Sequence, residues 1–118
     1  MKPVPKGPKP KSVVDTLIKS KKVITPAARW IKKEYNLGDG NIKFCAIGAL
    51  QFIDGKYEVA AHSYLKDALR EMDPEKDFDG VEGFNDYEGT SHRDVLRLFD
   101  RAIAIAKKYA RRGQKRAN

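Results

Sequence analysis

The chain contains one cysteine, Cys45, at the head of "CAIGAL", followed by His62 and by the pair Asn85 and Asp86. In the order Cys, His, Asx these residues match a thiol hydrolase or transferase, with Cys45 as nucleophile, His62 as base and Asp86 or Asn85 as orienter. A helix N-terminus would lower the thiol pKa and present the sulfur to a cleft. A helical hairpin turning near Asp54 and Gly55 would bring Cys45 and His62 to similar heights. Against this, His62 falls at the edge of its helix's apolar face, and no glycine-rich oxyanion loop accompanies Cys45. Gly48 and Ala49 suit close helix contact, and free cysteine is among the most buried residue types. The reading adopted is packing, with no catalytic residue assigned, and Cys45, His62 and Asp86 stand as the enzymatic alternative.

A second grouping is the acidic stretch "EKDFDGVEGFND" at residues 75–86. As a calcium loop it places Glu75, Asp77 and Asp79 at positions one, three and five, Gly80 at six and Asp86 at twelve. The first ligand should be Asp and the last a bidentate Glu, and Glu82 stands where an apolar residue belongs. A solvated acidic loop, with Asn85 and Asp86 making turns or caps, is the better expectation. Two histidines and one cysteine are too few and too scattered for zinc. No metal site and no cofactor are implied.

The third grouping is cationic. On the last helix Arg93, Arg97, Arg101, Lys107, Lys108, Arg111 and Arg112 fall on the half opposite the apolar residues, with Asp100 as the one acid, and Lys115 and Arg116 continue the series. Such a ridge can follow a phosphate backbone and bind through counterion release. The plainer reading is a solvated helix face with soluble ends.

These residues must be positioned by a chain of 118 residues and net charge +8. That length suits one domain able to bury a core without disulfides or metal. The net positive charge belongs to the two ends: Lys2, Lys6, Lys9 and Lys11 precede the body, six cations follow Ala106, and the body between them carries net −2. No apolar run approaches the roughly 18 residues of a membrane span, no signal-type segment follows the first lysines, and a lone cysteine points to no oxidising compartment. A soluble, cytoplasmic protein is expected, with no membrane partner.

Residues 1–11, with four prolines among lysines, suit a disordered, polyproline-like basic arm. Ser12 and Asp15 make a capping box for a first helix ending near Lys22. Thr25 and Pro26 open a second helix through "AARWIKKEY". "FCAIGALQFI" reads as a third, surrounded on all sides, in preference to a β-hairpin with "KYEVAA". A fourth runs from Tyr57 to Met72, with Ala61, Tyr64, Leu65, Ala68, Leu69 and Met72 inward. After an acidic loop over 73–89, a last helix starts at Thr90 or Ser91, with Asp94 completing a second box, and runs to Arg112. Its inner face carries Val95, Leu98, Phe99, Ala102, Ile105, Ala106 and Tyr109. The expected fold is an all-α single domain of about five helices over residues 12–112, with a basic tail at 113–118.

Trp30, "CAIGAL" at 45–50, "FND" at 84–86, Thr90 and "DVLRLFDRAI" at 94–103 together resemble an uncharacterised family of small proteins from actinobacteria and their phages. The resemblance covers roughly residues 25–106 and leaves both basic ends outside. It implies a shared fold in a bacterial or phage-infected cell and brings no assigned activity and no catalytic residue.

The sequence therefore points to a small accessory binding protein, associated with DNA or RNA through backbone contacts. The alternatives are the Cys45 and His62 enzyme and a phage-type adaptor binding a host factor or another acidic protein.

Overall fold

The computed structural model describes residues 9–34, 36–37, 42–53, 55–76 and 78–111. The basic arm up to residue 8, the turn residue Asp54, Arg112 and the tail lie outside the described residues. Within them, five α-helices form one small all-α domain: α1 Val13–Ile24, α2 Ala46–Phe52, α3 Glu58–Met72, α4 Gly80–Asp86 and α5 His92–Arg111. Two short antiparallel strands, β1 Asn36–Leu37 and β2 Lys43–Phe44, pair Asn36 with Phe44 and Leu37 with Lys43.

The capping box of α5 forms in full and that of α1 in half. In α5 the Ser91 hydroxyl accepts from Asp94 N (3.1 Å) while the Asp94 carboxylate accepts from Ser91 N (2.9 Å). In α1 Ser12 accepts from Asp15 N (3.0 Å), but the return bond to Asp15 comes from Lys11 N (2.8 Å), one residue earlier than the motif requires. α1 runs on to Ile24 because Thr16 and Ser20, though buried, return their hydroxyls to the carbonyls of Ser12 and Thr16 and leave no polar atom exposed to the core.

α5 packs along α3 and α1, and α1 also covers α2. Val95, Leu98, Phe99, Ala102 and Ala106 of α5 meet Ala61, Tyr64, Leu65, Ala68 and Leu69 of α3 in a single core, as their spacing predicts. Ile105, Tyr109 and Met72 are half-buried at its edge. α2 is shorter than expected and apolar nearly all round, with Ala46 to Leu50 buried.

Two expectations fail. The second helix is replaced by a single 3-10 turn at Ala27–Arg29, after which Trp30 turns extended (φ −103°, ψ 140°). Ile31 N then donates to Phe44 O (3.0 Å), and Trp30 bridges to the same strand. Long-range partners have taken the backbone groups that a helix would have used, so tertiary context overrides helical spacing. Nor is the segment 73–89 a plain loop, since it contains α4. Asp79, the N-cap of α4, makes no side-chain capping bond, and the first residue, Gly80, takes a left-handed φ of 72° that favours glycine.

Candidate functional site

The residues at 30, 45–46 and 85–86 converge where α4 meets α2. Asn85 is fully buried. Its Oδ1 accepts from Trp30 Nε1 (2.7 Å) and from Ala46 N (3.1 Å), while its Nδ2 donates to Ile31 O (3.1 Å) and Asp86 Oδ1 (3.0 Å). The amide thus uses its full complement of two acceptor and two donor positions. Asp86 Oδ1 also accepts from Lys33 N (2.6 Å), which holds Lys33 at a φ of 69°. The Lys32 ammonium donates to the carbonyl of Tyr87. His92 closes the same corner, its Nε2–H donating to Ile24 O (2.6 Å) and its ring lying 5.6 Å from that of Trp30.

Cys45 is the N-cap of α2, and its sulfur accepts from Gly48 N (3.2 Å). It is buried, with 3% of its surface exposed. Burial pushes the thiol above its ordinary pKa; the Gly48 and Ile47 amides oppose this, and the carboxylates of Asp86 and Glu82 reinforce it. A nucleophile needs the reverse shift. Cys45 and Asp86 do border one small cavity of about 110 Å³, completed by Lys33, Glu34 and Glu82. His62 lies half-buried on α3 and is not among the residues lining it. Two members of the alternative triad are thus neighbours, and the base is not with them. The calcium reading loses its frame as well, because its positions six to twelve are the helical residues of α4.

On α5 the cations stand as the helical wheel places them. Arg93, Arg97, Arg101, Lys107 and Lys108 are exposed. Arg101 pairs with Glu71 of α3, and Arg97 lies 4.0 Å from Asp94. Asp100 is engaged away from the ridge by Lys21 of α1 (2.6 Å). Among the described residues no carboxylate pairs with Arg93, Lys107 or Lys108. The backbone of Arg111 ends α5, and Arg112, Lys115 and Arg116 lie outside the described residues.

Sequence reasoning missed a trough beside this ridge. Phe78, Phe84 and Tyr87 form an aromatic cluster, with Phe78 edge-on to both Phe84 (5.2 Å) and Tyr87 (5.4 Å). Lys76 lies over Tyr87, its ammonium 4.2 Å from the ring centroid, and donates to a hydroxyl, that of Tyr87 itself (2.9 Å). One cavity, of about 300 Å³, runs from Lys76 past Tyr87 and Gly89 to Arg97. A second, of about 530 Å³, continues on the other side of Phe78 to Lys66 and Arg70. The available signal was the recurrence of aromatic residues through an acidic, glycine-containing stretch, which a solvated loop does not need.

No helix among the described residues is long and apolar enough to cross a membrane. The model described as "Family of unknown function (DUF6197)" matches residues 8–105, and the chain belongs to that family. No curated protein and no solved structure matches it.

Proposed function

We propose that this protein is a small accessory binding protein that holds nucleic acid by its phosphate backbone on the exposed face of α5, in the cytoplasm of a bacterial or phage-infected cell. The observation that carries this reading is the row of exposed α5 cations, in which, among the described residues, Lys107 and Lys108 form no ion pair and Arg93 interacts with the neighbouring Asp94 carboxylate only at longer range than an ion pair. The pairs made by Arg97 and Arg101 are half-exposed. Exposed pairs of this kind contribute little, so exchanging a carboxylate for a phosphate costs little. The residues after Arg111 add Arg112, Lys115 and Arg116 to the same end. Contacts of this type give affinity and orientation without reading bases.

The test is fluorescence anisotropy with labelled DNA and RNA at about 50 and about 200 mM salt, where backbone binding weakens steeply. Replacing Arg93, Lys107 and Lys108 by Ala should lower affinity for every sequence alike. It should also flatten the slope of log affinity against log salt by roughly 0.9 per lost contact on duplex DNA. Absence of binding to either nucleic acid at about 50 mM salt would overturn the reading and leave an acidic protein as the partner those cations fit.

A further inference from the structure

The trough at Tyr87 has walls unlike those of the ridge. Its floor is aromatic, from Phe78, Phe84 and Tyr87, and its sides carry Asp73 and Asp94 together with Lys76 and Arg97. A phosphate would meet two carboxylates there, whereas a nucleobase would find ring faces for stacking and carboxylate acceptors for its exocyclic amines. Arg97 belongs to both features: it stands on the α5 ridge and lines the trough. A strand whose phosphates follow the ridge therefore passes the mouth of the trough at Arg97.

From this juxtaposition we propose that the protein prefers single-stranded nucleic acid and seats one unstacked base on Tyr87. The proposal rests on the phosphate-binding reading of α5 and adds the form of the ligand. Duplex bases are held in their own stack and cannot enter, while a single strand can splay a base onto an aromatic face. Tyr87 is 43% exposed, unusually open for a large ring. Lys76, which covers it, is an exposed side chain held by a hydroxyl and the two rings of Phe78 and Tyr87. It occupies the place a base would take, and on displacement its ammonium remains within the same trough to meet the strand. Gly89 keeps the seat open, since a Cβ at that position would come within 2.9 Å of the Tyr87 ring.

The experiment compares the full chain with Tyr87→Phe, Tyr87→Ala and Tyr87→Leu, titrated against a labelled single strand and its duplex at about 50 mM salt. The wild type and Tyr87→Phe should favour the single strand. Tyr87→Ala should lose about tenfold or more on the single strand, as expected for one stacked base, and little on the duplex. Tyr87→Leu keeps apolar bulk without a π face and should lose the same preference, which serves if the alanine variant does not fold. Equal binding of both ligands, or a preference that survives in Tyr87→Leu, would overturn the base seat while leaving the α5 reading intact. Failure of the wild type to bind either ligand would overturn both.

Discussion

The amide oxygen of Asn85 lies 2.7 Å from the indole nitrogen of Trp30, two side chains from distant parts of the chain joined inside the protein. That bond and the three others made by Asn85 fix the path of residues 30–33 against the end of α4 and the start of α2.

Removing the Asn85 amide leaves the Trp30 N–H, the Ala46 N–H and the Ile31 carbonyl without their partner at a fully buried position. Asn85→Ala should therefore cost about 2–4 kcal/mol, the upper range for such losses. Asn85→Asp keeps the acceptors but places a carboxylate beside Asp86 and the Ile31 carbonyl, and should also destabilise. Urea denaturation with Trp30 emission as the probe measures both. An Asn85→Ala variant within about 0.5 kcal/mol of wild type would refute this account of the junction.

Cys45 acts here as a helix cap. Cys45→Ala should fold and cost about 1–2 kcal/mol, while Cys45→Ser, a better cap of nearly the same shape, should cost less. Thiol reagent should label the native protein slowly, because burial raises the pKa of Cys45 and shields the sulfur. Rapid labelling, or loss of nucleic-acid binding or of any hydrolytic activity at unchanged stability, would return Cys45 to the chemistry.

Lys33 holds a left-handed φ of 69° for the sake of its N–H bond to Asp86. Lys33→Gly should be neutral or stabilise by up to about 1 kcal/mol, since glycine adopts this backbone without penalty. Lys33→Pro removes the donor and forbids the angle, and should cost about 3 kcal/mol or more. In thermal melts Lys33→Gly should melt at or above wild type and Lys33→Pro well below it.

The capping carboxylates set an acid dependence. The Ser91 amide holds Asp94 below its usual pKa, with the Ser91 hydroxyl and Arg97 adding to the effect, and the Lys19 ammonium does the same for Asp15, assisted by Lys11 N. A folded pKa below the unfolded one stabilises fully above roughly pH 5, and that stabilisation is lost as pH falls through the depressed value. The double variant Asp15→Asn, Asp94→Asn should melt several degrees below wild type at pH 6, and the gap should narrow by pH 3. A gap independent of pH would mean that the charge plays no part.

How much of this was legible depended on where each element finds its partners. α3 and α5 carry a full apolar face and α5 its own serine–aspartate cap, so spacing alone located them within a residue or two. The cationic face of α5 followed from the same wheel. Thr25, Pro26 and the apolar spacing suit a helix through Trp30, whereas its conformation is dictated by Asn85 and Phe44, far away in sequence. α4 was hidden because seven residues with two glycines carry no periodic signal, and its two buried apolar side chains, Val81 and Phe84, read equally well as loop anchors. The recurring aromatic residues signal a packed stretch there, but the shape of the trough at Tyr87 does not follow from them, since α4 and the turns beside it create it.

The N-cap of α4, Asp79, makes no side-chain capping bond, and at seven residues the helix is too short to persist alone. Its retention by Asn85 makes it a passenger of the 30–33 segment, so the two should open as one unit. Their amide protons are expected to exchange with a common free energy, well below that of α3 and α5, and separate rates for the two segments would contradict this. Because the joining contacts span more than fifty residues, from Trp30 to Asn85 and from Lys33 to Asp86, they also close a long loop. The helical pair α3 and α5 is then expected to assemble first, and the seam that completes the domain to lock last.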